Sequence, residues 1–322
     1  MISINNYISE KLVINKNVGK RHYNYVPKTT DELLNIIKHR IWEEGNECDL
    51  NDIDVSKITD MSHLFEYSNF NGDISEWDVS NVKDMSNMFL FSSFNGDIFS
   101  WDVSNVETME DMFHNSKFNQ DISEWDVSNV TNMKSMFNHS EFNQNISKWN
   151  VSNIETMEDM FHNSKFNQNI SKWNVSNVEN MRFMFCGTNF NSDISNWNVS
   201  NVINMSCMFS ESKFNKDISN WNVSNVKNMS YMFAQTEFNK DISKWNVSKV
   251  KDMYAMFRNS EFNQDISKWD VSNVDDMNYM FSKSKFNQDI SNWKLNQYVT
   301  INDIFYESPL EGKEKEWWGR TK

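Results

Sequence analysis

Three histidines, His114, His139 and His162, recur at intervals of 25 and 23 residues, with Glu110, Asp111, Glu158 and Asp159 close by in the chain. Imidazoles and carboxylates stacked in this way are the donor types of a transition-metal site. A second row of oxygen donors runs through Asp73, Asp97 and Asp121. It would suit calcium if about six to eight oxygens converged on each ion. Both rows have a plainer explanation. Residues 107–120 and 155–168 are the same string, ETMEDMFHNSKFNQ, so His114 and His162 are copies of one position. The chain has only 7 Gly, too few to supply a glycine turn around each calcium ion. His114, His139 and His162 are the candidate ligands, but no metal and no cofactor is expected. No GxSxG, HExxH, phosphate-binding loop or GxGxxG occurs. The acids available for proton transfer are present in many equivalent copies, an arrangement foreign to a catalytic centre. The expectation is a protein that is not an enzyme.

These rows exist because the chain repeats itself. Phe recurs every 24 residues from Phe70 to Phe286, and Trp follows seven residues later each time, from Trp77 to Trp293. The unit reads FNxDISxWDVSNVxxMxxMFxxSx. Nearly all of the 20 Met, 13 Trp and 24 Phe fall at fixed positions of it. A unit this short cannot bury its apolar side alone and must stack on its neighbours, which implies a solenoid.

Within one unit the apolar residues are Phe70, Ile74, Trp77, Val79, Val82, Met85, Met88 and Phe89. Ile74-x-x-Trp77-x-Val79 has the LxxLxL spacing of leucine-rich repeats. The alternation around Trp77 and Val79 predicts a short strand. The intervals of three and four from Val82 onward predict a short helix, with Ser80 and Asn81 at the switch as its cap. The fold class expected is therefore an α/β repeat solenoid of right-handed, leucine-rich-like 24-residue coils, each a short strand plus a short helix. About eleven such coils at a strand spacing of about 4.8 Å would make a rod roughly 50 Å long. Asn71 and its equivalents through Asn287 do not vary, and the positions equivalent to Ser92 are always Ser or Thr. Uniform Asn in a stacked array predicts a ladder in which each amide serves backbone groups of the next coil.

The ends differ from the body. Thr29-x-x-Glu32 is a capping box, followed by Leu33, Leu34, Ile37, Ile41 and Trp42, with Gly45 as a C-cap. The organisation expected is an N-terminal extension over 1–28, a capping helix and turn over 29–49, a solenoid over 50–308 and a C-terminal tail over 309–322. Trp317 and Trp318 are expected to fold back onto the last coil, since exposed solenoid ends need covering.

Net charge is −14. The excess acid lies in the repeat body, while both ends are slightly basic, so nucleic-acid binding is not expected. Cys48, Cys186 and Cys207 form no CxxC pair, which argues against a disulfide framework or structural zinc. The opening residues lack the apolar core of a signal peptide, and no run is long enough to span a membrane. A cytoplasmic location is expected of the chain as written, with surface or virion association open.

The phrase FNQDISxWDVSNVxxMxxMF, carried best by residues 118–137 and 262–281, resembles the DUF285 or BspA-type leucine-rich-like repeat family. NDIDVSKITDMSHLF at 51–65 is similar to the usual start of that family. The resemblance covers roughly residues 29–308. It implies a leucine-rich-like solenoid and a role in adhesion or partner binding, and it supplies no catalytic residues.

Function in such an array belongs to the positions that vary while the frame stays fixed. On the outward side of the expected strand, Glu76, Asp78, Asp102, Glu124 and Asp126 are acidic, whereas Lys148 and Lys172 open a neutral-to-basic stretch. Such a gradient would orient a charged partner. On the expected helix, Phe183, Tyr231 and Tyr279 share one register, with Phe91 and Tyr254 nearby, and would form a tyrosine-bearing stripe. The function expected is a non-catalytic scaffold for protein–protein interaction, as a monomer. The alternative is adhesin-like binding of a ligand or glycan at a cell or virion surface.

Overall fold

The computed structural model describes residues 23–319. Most of the expected extension (1–22) and the last residues of the tail (320–322) lie outside them. The described residues contain two helices, α1 (Thr30–Glu44) and α2 (Lys313–Trp318), and no sheet. Parallel pairing is confined to twelve isolated bridges, most of them between equivalent residues of successive units, such as Asp84 with Thr108.

The expected α/β solenoid, with a strand and a helix in each right-handed leucine-rich-like coil, is therefore overturned. The units stack, but they are built from turns. Trp77 N–H donates to Ile74 C=O, Val82 to Val79 and Met88 to Met85. Each pair of apolar residues three apart is thus the two ends of one β-turn, both pointing inward. A helix over 82–89 cannot form, because Asn87 lies in the left-handed region at φ 59°, as Phe91 does just beyond it at 52°. The N–H groups of Asn87, Phe89 and Phe91 leave their own coil and donate to Glu110, Met112 and His114 in the next. A chain of turns and an amphipathic helix share the same three-residue apolar spacing, which is why the pattern was ambiguous.

Left-handed residues recur in every coil, and nearly all are not glycine. Each costs about 1–2 kcal/mol relative to the right-handed region. Gln235, exposed at φ 56°, is one of these. Gln235→Gly is expected to stabilise the protein by about 1 kcal/mol, since it sheds that cost and loses only a surface bond to Glu211. Lys172→Gly, at a position without positive φ, is expected to destabilise by a similar amount. Thermal melting of the two variants checks the contrast.

What holds the coils together is a set of side-chain columns. Phe65 and its equivalents to Phe305 stack at 5.5–5.9 Å between ring centres. The column from Phe70 to Phe286 stacks at 6.1–6.4 Å beside it. Every repeat tryptophan donates its indole N–H to a carbonyl of the preceding coil, 2.9–3.2 Å away. The asparagine ladder forms as read. The Oδ1 of Asn71 accepts from the backbone N–H of Asn95, and the pattern continues to Asn287 at 2.8–3.3 Å. A second ladder runs from the amides of Asn81 and its equivalents to a serine carbonyl one coil back.

Helix α1 is capped by the Thr29 hydroxyl, which accepts from Glu32 N–H, and ends at Gly45 with φ 91°. Leu33 and Ile37 bury against the first coil. Trp42, expected on that face, instead projects outward and is 81% exposed. Arg40 takes the inward position and binds Glu44, Asp52 and the Asp49 carbonyl. At the other end Trp318 stacks on Trp293 at 6.5 Å, and Trp317 meets Phe305 edge-on at 5.9 Å, so both fold back. No helix of the described residues is long and apolar enough to cross a membrane.

Candidate functional site

The acidic and basic candidates lie on turns rather than on a strand. Glu76, Asp78, Asp102, Glu124, Asp126, Lys148 and Lys172 are all exposed. Asp78, Asp102 and Asp126 have a structural duty: each Oδ1 accepts from the N–H two residues on, at Ser80, Ser104 and Ser128. Asn150, Asn174 and Asn198 do the same in later coils. The turn needs only one carbonyl-like oxygen, so Asp and Asn interchange there without altering the frame. Asp102→Asn is expected to leave stability within about 0.5 kcal/mol of the parent, and Asp102→Ala to lose about 1 kcal/mol. Urea unfolding at neutral pH measures both. Glu124 and Lys148 pair with each other across adjacent coils.

The Asp73 row is occupied in the same way. Oδ1 of Asp73 accepts from Ser75 N–H and that of Asp121 from Ser123 N–H, each at 2.9 Å. In the later coils, hydrogen bonds from Ser195, Ser219, Ser243 and their equivalents hold Asp193, Asp217 and Asp241 below the usual carboxylate range.

The histidines are adjacent but do not converge. His114 and His139 stack at 6.1 Å, and His139 meets His162 at 5.2 Å with the rings tilted by 63°. Their Nδ1 atoms turn to side chains of their own coils: Asp111, Asn138 and Asp159. The Asn163 amide donates to Nε2 of both His139 and His162, at 3.1 and 3.0 Å. Gly187 makes room for it, because a Cβ there would sit 1.9 Å from Asn163 Oδ1. Among the described residues no group of three potential ligands is placed to hold a metal ion. Burial, reinforced by the neighbouring His162 and His114, lowers the pKa of His139.

The histidines belong to a longer assembly. Tyr67 stacks on Phe91 at 5.2 Å, Phe91 meets His114 at 5.4 Å, and at the far end His162 stacks on Phe183 at 5.2 Å. Six rings from six successive coils thus form one continuous spine: Tyr67, Phe91, His114, His139, His162 and Phe183. Arg182 lies over the last ring, 4.7 Å from its centre. Further along the stack Tyr231, Tyr254 and Tyr279 meet at 5.1 and 5.7 Å as a second, shorter row. Burial, with a hydrogen bond to Tyr254, pushes the Tyr231 phenol up to about 12. Tyr67 and the join between histidines and aromatics escaped the sequence reading. Their spacings drift between 21 and 25 residues as the ring moves to a neighbouring position in the turn, so a search at strict 24-residue intervals misses them.

Cys48, Cys186 and Cys207 are free and buried. Burial raises the Cys186 and Cys207 thiols to about 12 and about 11, leaving little thiolate at neutral pH.

A model of the family described as "Mycoplasma protein of unknown function, DUF285" matches residues 38–141, 114–215, 138–237, 162–261 and 211–318. No curated protein and no solved structure matches the chain.

Proposed function

The chain belongs to the DUF285 family, and we propose that it works as a non-catalytic scaffold that recognises a protein partner through its ring spine. The observation that carries this reading is where the rings stand. Tyr67, Phe91, His139 and Phe183 occupy left-handed positions at φ 52–56°. That backbone favours Gly or Asn, so its conformation alone does not account for a large ring there. Stacking between neighbours recovers part of the cost. Tyr67 remains 67% exposed and Phe91 44%. Rigid aromatic side chains, accessible at the surface and backed by a fixed frame, are the usual anchors of protein interfaces.

The repeated residues support the same division of labour. Their apolar side chains are buried, and their Asn, Asp and Trp groups are hydrogen-bonded within their own coil or to a neighbouring one. Affinity capture from the native cell, with full-length chain as bait, tests the reading. A partner retained by the parent chain is expected to be lost at least about tenfold on combining Tyr67→Ser with Phe91→Ser. Unchanged retention by a bait that melts like the parent would reject the spine as the recognition surface.

A further inference from the structure

A single exposed column runs along another side of the stack: Thr131, Glu155, Glu179, Ile203, Lys227, Lys251 and Asp275. It is held in strict register because each backbone N–H donates to the carbonyl of the equivalent residue one coil earlier, as Glu179 does to Glu155 and Lys227 to Ile203. The side chains therefore follow one another at one-coil intervals, and the order of their charges matters. Two acids precede Ile203 and two lysines follow it. The column borders open grooves whose other wall is a row of neutral asparagine amides, from Asn129 to Asn225, with Lys249 next.

Two facts mark this stretch. Earlier in the same column, opposite charges in adjacent coils pair within the chain, as Lys83 does with Glu107 at 2.8 Å. Among the described residues Glu155, Glu179 and Lys227 have no such ion-pair partner. Lys251 reaches only the Asn273 carbonyl, with Asp275 at 3.8 Å, and Lys249 donates to Asn225. Second, Ile203 at the midpoint is 37% exposed, an apolar side chain in a polar column.

The sequence of types is complementary to itself when reversed. We propose that this column is a two-fold interface between antiparallel copies of the chain. Ile203 lies on the axis against its counterpart, Glu179 of one copy faces Lys227 of the other, and Glu155 faces Lys251. An isologous contact requires this self-complementarity, with the residue on the axis meeting itself. An apolar centre with a charged rim is the ordinary anatomy of such a patch. A parallel alignment would set Glu155 on Glu155 and Lys227 on Lys227, so the charges also fix the orientation. The strip is narrow, which makes the dimer a weak one, on the order of micromolar, and sensitive to salt. The dimer departs from the monomer expected from sequence. It draws on the scaffold reading only in treating varied, exposed positions as recognition surface.

Sedimentation velocity on the full chain tests it. The parent protein is expected to approach a dimer by about 0.1 mM in low salt and to return to monomer as salt rises. Lys227→Glu with Lys251→Glu makes the column acidic throughout, and Glu155→Lys with Glu179→Lys makes it basic throughout. Each double variant alone is expected to be monomeric, and an equal mixture of the two to form a heterodimer of about the parent dimer's affinity, because it restores the same four charge pairs. A parent chain that stays monomeric at that concentration overturns the proposal. So does a dimer indifferent to both charge reversals, or a mixture that fails to associate. A monomer that still retains its partner in the capture experiment removes the dimer and leaves the scaffold reading intact.

Discussion

Phe161→Ala is expected to lower stability by about 4 kcal/mol. Phe161 is fully buried and lies in the middle of its column, 5.8 Å from both Phe137 and Phe185. It also stacks on Phe166 at 4.0 Å and leans on Trp173. Removing the ring opens a cavity that coils held by interlocking ladders cannot close, so the cavity term adds to the lost transfer energy. Because a stacked array is held by nearest-neighbour contacts, the damage should divide it. Calorimetry is expected to show one transition in the parent and two in the variant. A surface ring in the next coil gives the control: Phe183→Ala should cost under about 1 kcal/mol. Equal losses at the two positions would contradict the assignment of one to the frame and the other to the surface.

The second large effect is expected at the N-terminal cap. Arg40→Ala should cost about 2–3 kcal/mol, because it strands the partly buried Asp52 and the Asp49 carbonyl that the guanidinium now satisfies. Part of the pair is open to water, which keeps the figure below that of a fully buried ion pair. The effect depends on pH in a definite direction. Burial pushes Asp52 up, but the hydrogen bonds from Asn24 and Arg40 outweigh it and hold the carboxyl below its ordinary value. A folded-state value lower than the unfolded one contributes stability above the unfolded value, near pH 4, and loses it as pH falls through the folded value. The gap between parent and Arg40→Ala, measured by urea unfolding, should therefore be full at pH 7 and narrow below about pH 3. A gap that widens in acid would show that Asp52 is not the partner that matters.

These two sites also mark how far the amino-acid sequence carries. Phe161 was legible as core from periodicity alone, since a large apolar residue repeated at fixed intervals has nowhere else to go. The Asn71-to-Asn287 ladder was legible for the same reason: a polar residue that never changes in a stack must be answering its neighbours. The cap helix was legible in Thr29, Glu32 and Gly45. The secondary structure of the coil was not. Residues such as Ser135, Tyr231 and Lys283 carry no sign that they adopt left-handed backbone, and without that knowledge a chain of β-turns has the apolar spacing of a helix. Arg40 was hidden because a helix face is read by its apolar residues, and the inward position here belongs to a charge. At the candidate surface, His114, His139 and His162 were recognised as neighbours, but ring stacking rather than ligation brings them together. In the Asp78 column the change from Asp to Asn alters the surface charge, while the turn uses only an oxygen that both possess.

The central claim is that the side chains of each coil divide into a frame consumed in stacking and a varied set left for recognition. A saturation scan of one unit, residues 142–165, scored once for folded yield and once for partner retention, tests it most directly. The account predicts that substitutions at Phe142, Asn143, Trp149, Met157, Met160 and Phe161 lose folded yield. Those at His162 should keep the yield and lose retention. Retention that fails only where folding fails, with His162 silent in both, would contradict it.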